Sequence, residues 1–114
     1  MVTIYDSMEK DKVINRIKQV AKEVLPDGSS IYLYGSRARG DAHANSDWDL
    51  LLLLNKVKLD YDDFDRYSYP FVEIGWDMGE DIRPHAYTMQ EWNNSPHSMY
   101  YYNVENDKEV LYGS

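Results

Sequence analysis

Asp47 and Asp49 stand two residues apart at the head of the run Trp48-Asp49-Leu50-Leu51-Leu52-Leu53-Leu54. On an extended chain, residues so spaced project from the same face, and the two carboxylates are brought side by side. Like charges in that position repel unless a cation lies between them. The chain has no cysteine, and all-oxygen ligation suits magnesium, or manganese, better than zinc. The same pair also fits two polar residues at a strand's entrance, and spacing alone leaves both readings open. Ten residues separate Asp47 from Gly35-Ser36, which closes the β-prone run Ser30-Ile31-Tyr32-Leu33-Tyr34. A strand that ends in Gly-Ser and turns presents backbone N–H groups and one hydroxyl, the donors that hold phosphate. Glycine also lets the backbone approach a ligand closely. An ordinary strand-to-helix turn has the same sequence. Arg37 and Arg39 are the cations of this otherwise acidic stretch, either solvated or facing phosphate.

Regular elements must hold these groups in place. Met8, Val13, Ile14, Ile17, Val20, Ala21, Val24 and Leu25 recur at helical spacing, which predicts an amphipathic helix. Asp6 or Ser7 is the expected cap, and Pro26-Asp27-Gly28 the stop. The unbroken leucines predict a strand covered on both faces. Phe64, Tyr67, Phe71, Ile74 and Met78 again read as helical, but Pro70 interrupts them, so one kinked helix or two short ones are expected. Asp81 to Tyr87 reads as a strand whose Pro84 leaves a gap in the ladder. Thr88-Met89-Gln90-Glu91 is a capping box that starts a helix at Met89. The tail from Ser98 to Tyr112 reads as a helix and then a short extended end. The fold class expected is α+β, a small mixed β-sheet flanked by helices, with residues 1–114 forming a single domain.

Composition narrows the functions. Twelve basic against twenty acidic residues give a net charge of −8, a surface that repels nucleic acid and anionic lipid. A nucleotide bound here would need a cation brought with it. The longest apolar run, Leu50 to Leu54, is far short of a membrane span. The absence of cysteine suits a reducing cytosol, and the N-terminus shows no basic start or apolar signal core, so a cytoplasmic location is expected.

Tyr34-Gly35-Ser36-Arg37-Ala38-Arg39-Gly40-Asp41 with Ser46-Asp47-Trp48-Asp49-Leu50-Leu51 resembles the signature of the DNA polymerase beta-like nucleotidyltransferases. It is most similar to the minimal nucleotidyltransferase group, small proteins like the N-terminal lobe of kanamycin nucleotidyltransferase, some of them antitoxins beside helical toxin partners. The resemblance in residue order runs from about Ile31 to Leu54, and more loosely through Thr88 to Trp92. It implies the palm-like nucleotidyltransferase fold. Gly35 and Ser36 would hold the β- and γ-phosphates of a nucleoside triphosphate, with Arg37 and Arg39 beside them. Asp47 and Asp49 would hold two magnesium ions, and the reaction would move a nucleoside monophosphate, AMP from ATP, to a hydroxyl. In-line phosphoryl chemistry relies on such positioning and charge neutralisation.

The family also places a third carboxylate on a later strand. Aligned on Tyr87-Thr88 to Trp92, that place falls near Arg83, with Asp81 on the same strand face and Glu80 on the other. The third acid is therefore Asp81 or is absent. With Asp81 present, the chain is expected to be a magnesium-dependent transferase whose acceptor comes from another chain or binds at a dimer seam. Without it, the chain reads as a catalytically weak antitoxin or adaptor that binds a partner protein. His43, His85 and His97 lack metal-ligand spacing and read as structural or exposed. Trp48 is expected to point into the core opposite the acids, and Trp76 and Trp92 to pack in the core or between helices. Tyr100-Tyr101-Tyr102 cannot all face inward on one helix, which leaves aromatic surface for a homo-oligomer or partner contact. Asp60, Asp62, Asp63 and Asp65 read as a solvated helix start.

Overall fold

The computed structural model describes residues 4–43, 46–94 and 98–113, with side chains from residue 9 onward. Helix α1 (Ile4–Val24) is followed by strand β1 (Ser30–Tyr34), the one-turn helix α2 (Ser36–Arg39) and strand β2 (Trp48–Leu54). A π-helical turn (Phe64–Ser68) runs into α3 (Tyr69–Met78), then β3 (Ile82–Thr88), α4 (Met89–Asn94), α5 (Met99–Asp107) and β4 (Glu109–Tyr112). The sheet order is β3-β2-β1-β4. β1 lies antiparallel to β2 and β4, and β3 lies parallel to β2, so the sheet is mixed as expected.

β2 is the inner strand that the leucine run foretold, and Leu50 through Leu54 are all buried. On one face Trp48, Leu50, Leu52 and Leu54 meet Val13 and Ile17 of α1 and Phe71 and Ile74 of α3. On the other, Leu51 and Leu53 meet Trp92 of α4 and Val104 of α5. Asp49 shares the parity of Leu51, which sends it to the α4–α5 side, while Trp48 is buried in the opposite core. Pro84 lies in the edge strand β3, where a missing N–H costs least. The capping box forms as read: Thr88 Oγ1 accepts from Glu91 N at 3.0 Å, and Glu91 Oε1 from Thr88 N at 2.9 Å. The extended tail is a true sheet strand, β4, seated on β1.

Several expectations are corrected. Asp6 and Ser7 fall inside α1, which already includes Ile4; the Met8 side chain and His97 lie outside the described residues. Phe64 leaves the helical stripe and is exposed, because the π turn adds a residue and rotates it away; Tyr69 N donates to the Phe64 carbonyl across that wider ring. Pro70 sits at the first turn of α3, where it is tolerated. Trp76 is 67% exposed on the outer face of α3, edge-to-face with Tyr69 at 5.7 Å, because Phe71, Ile74 and Gly75 form the inner one. Asp63 is buried, not solvated: its carboxylate accepts from Lys56 Nζ at 2.7 Å and from Asp60 N at 2.6 Å. Burial alone would raise that carboxyl, but these donors outweigh it and leave it below the ordinary value. Among the described residues no helix is long and apolar enough to cross a membrane.

Candidate active site

The register of the sheet sets the site. Asp49 lies between Tyr34 of β1 and Arg83 of β3, its cross-strand partners. Gly35, one residue beyond Tyr34, has φ 77° and ψ −158°, a region open essentially to glycine alone. A Cβ built there would lie 2.6 Å from Asp49 Oδ2. The turn and the carboxylate therefore touch, and Ser36 follows directly as the first residue of α2. Neither the conformation of Gly35 nor its contact with Asp49 is visible in sequence.

Asp47, Asp49, Asp81 and Arg83 gather at this end of the sheet. The Arg83 guanidinium bridges Asp81 Oδ2 at 3.0 Å and Asp47 Oδ2 at 3.3 Å, and each of these side chains keeps at least a third of its surface in solvent. Asp81 is thus in the cluster, and its backbone carbonyl accepts from Trp48 N at 2.8 Å. The Arg83 hydrogen bond holds the Asp81 carboxyl below its usual range. Asp49 is shifted the other way, by burial first and then by the charge of Asp47, with His85 and Arg83 opposing. Among the described residues no three acidic, histidine or cysteine side chains converge closely enough to hold a metal ion by themselves. Of these carboxylates it is Asp49 whose charge the surroundings penalise, by burial and by the neighbouring Asp47.

The two arginines do not face the acids. Arg39 is taken up by Asp107 at 2.8 Å and Asp41 at 3.2 Å, tying α2 to α5. Arg37 lies over the Trp48 ring, its Cζ 4.6 Å from the centroid, on the side of the sheet opposite Asp49. The one-turn helix gives both of them protein partners. Glu80 points away from the acids as expected, accepting from Trp48 Nε1 at 3.1 Å.

Three further side chains border Asp49. His85, exposed on β3, lies with its ring centroid 6.3 Å from that of Tyr34, the two planes tilted by 49°. The hydroxyls of Tyr34 and Tyr100 share a hydrogen bond of 2.9 Å, which brings α5 over the site. Burial above all raises both hydroxyls, and the Asp49 charge adds to it. The alternation of β1 places Tyr34 on the Asp49 face, whereas the return of α5 over that face has no local sequence signal. Tyr100 and Tyr102 keep aromatic surface exposed, as the tyrosine triplet required. His43 is exposed on the loop before β2.

A mixed four-stranded sheet with a glycine turn packed on an Asp-x-Asp strand defines a nucleotidyltransferase-fold protein. The family model for the nucleotidyltransferase domain matches residues 14–108, and the chain belongs to that family. No curated protein matches the sequence. Solved structures match the fold. A toxin–antitoxin crystal structure with AMP-PNP aligns at TM-score 0.63 and 20% identity, over 89% of this chain and 73% of that one. The complex of the tri-AMPylated Shewanella oneidensis HEPN toxin with MNT antitoxin aligns at TM-score 0.59 and 15% identity, over 91% and 72%. A candidate nucleotidyltransferase from Sulfolobus solfataricus aligns at TM-score 0.54 and 21% identity, over 90% and 82%.

Proposed function

We propose that this chain is a magnesium-dependent nucleotidyltransferase that moves AMP from ATP to a hydroxyl on a protein or small-molecule acceptor. The observation that carries the reading is Gly35, held in a glycine-only conformation against the Asp49 carboxylate. A turn kept free of a side chain against the Asp49 carboxylate, with Asp47 two residues before it, is the arrangement a metal–triphosphate needs. The antitoxin complexes with AMP-PNP and with an AMPylated toxin support ATP as donor and a partner protein as acceptor. The net charge of −8 argues against a nucleic-acid acceptor.

Asp47 and Asp49 would hold the divalent ion, with triphosphate oxygens completing its shell. The ion, when bound, neutralises phosphate charge and favours the deprotonated acceptor oxygen. The Ser36 hydroxyl and the backbone N–H groups of the turn donate to phosphate oxygens. The acceptor oxygen bonds to the α-phosphorus as the bond to the β-phosphate oxygen breaks and pyrophosphate leaves. Asp81 takes the acceptor's proton, and Arg83 supplies a fixed positive charge to phosphate.

A second reading, a partner-binding module with weak catalysis, is favoured by that same Arg83. By pairing with Asp81 at 3.0 Å it makes the carboxylate a poorer proton acceptor near neutral pH. Incubation with labelled ATP, magnesium and a lysate separates the two readings. Asp81→Asn is expected to lower transfer about 100-fold or more while leaving ATP–magnesium affinity within a few-fold. Arg83→Ala is expected to weaken nucleotide or acceptor binding and leave the chemistry. Wild-type turnover in Asp81→Asn would remove that residue as the base. A wild type that binds ATP and labels nothing would make the binding module the better account.

A further inference from the structure

Arg37 is the most enclosed of the cations around the site, with a side chain 14% exposed. Its Nη2 donates to the Ser46 carbonyl at 2.9 Å and pairs with Glu80 Oε2 at 3.5 Å. Its guanidinium covers the Trp48 ring, and Trp48 Nε1 donates to the same Glu80 oxygen. Every one of these contacts falls on a residue next to an acid of the site. Ser46 precedes Asp47, Trp48 separates Asp47 from Asp49, and Glu80 precedes Asp81. Arg37 itself sits two residues after Gly35, on the helix that the phosphate turn opens. One side chain thus links the turn to the entrances of both acid-bearing strands, from the face of the sheet opposite the acids.

We infer that Arg37 is a positioning residue that fixes Asp47 and Asp81 relative to the Gly35-Ser36 turn, and that it does not bind the nucleotide. The inference rests on the reading of Asp47 and Asp49 as a metal site. Arginine suits the task because its planar fork stacks on an indole and donates in two directions at once. Lysine offers a point charge that can satisfy Glu80 or Ser46 but cannot lie flat on the ring.

The test is Mn2+ binding to the full-length chain in the presence of a non-hydrolysable ATP analogue, followed by electron paramagnetic resonance, with ATP titrated separately in EDTA. Arg37→Gln is expected to lower Mn2+ affinity about tenfold, as loss of a residue supporting metal ligands does. Metal-free ATP affinity should change less than about twofold, and Arg37→Lys should recover part of the Mn2+ affinity. Unchanged Mn2+ affinity in Arg37→Gln would overturn the inference, and weakened metal-free ATP binding would make Arg37 a phosphate ligand. Absence of Mn2+ binding by the wild type, or binding that Asp47→Asn leaves intact, would overturn the metal-site reading and the inference with it. Should Arg37→Gln fail to fold, the Arg37 Nε–H NMR signal of the wild type decides. It should stay in place when ATP is added without metal, and a shift would refute the inference.

Discussion

Replacing Asp49 with asparagine is expected to raise thermal stability at neutral pH while lowering magnesium-dependent ATP affinity and any transfer about 100-fold or more. The two effects have one cause. Burial, and then the neighbouring Asp47 charge, hold the Asp49 carboxyl above its ordinary value. An acid raised in the folded state binds its proton more readily there than in the unfolded chain. Its ionised form therefore costs stability at neutral pH, and the cost disappears as pH falls through the folded value. Asparagine removes that cost together with the charge a cation would use. A melting curve at pH 7 and a calorimetric titration with ATP and magnesium check the two halves. A variant that melts lower and still binds would contradict this description of the site.

Gly35→Val is expected to be the most damaging change to the phosphate turn. With φ 77° and ψ −158°, the position costs a side-chain-bearing residue about 1–3 kcal/mol in backbone strain alone. A Cβ would also meet Asp49 Oδ2 at 2.6 Å, so the carboxylate must move to admit it. The urea midpoint should fall and nucleotide binding should be lost. Ser36→Ala, which removes one hydroxyl without strain, should cost about 1–3 kcal/mol of nucleotide affinity and leave the midpoint in place. Wild-type ATP binding in both variants would place the phosphate cradle elsewhere.

What the sequence makes legible is what local pattern dictates. The leucine run declares a two-faced strand and the Thr88–Glu91 box a helix start, and both appear in the fold; Asp47 lies one residue before β2, which begins at Trp48. The protein partners of Arg37 and Arg39 are not legible in sequence because α2 is only one turn long, too short for periodicity to announce it. That turn decides which side of the sheet each guanidinium reaches. The exposure of Phe64 is hidden for a related reason, since one extra residue in a π turn changes the phase of a helical stripe without changing its spacing on paper. The exposure of Trp76 follows from Gly75, which lets α3 come close to the Glu80 backbone and fixes which face turns inward; a Cβ there would lie 2.5 Å from the Glu80 carbonyl oxygen. Tyr100 reaches Tyr34 across sixty-six residues, a contact that belongs to the path of the chain and to no local motif.

The central claim is that Asp47 and Asp49 join the Gly35-Ser36 turn in one metal–nucleotide site. Calorimetric titration of the wild type with ATP, in magnesium and then in EDTA, tests it most directly, with Asp47→Asn as the paired control. The account expects affinity at least about tenfold higher with magnesium in the wild type, a gain of about 1.4 kcal/mol, and no such gain in Asp47→Asn. Equal ATP affinity with and without magnesium in the wild type would contradict it.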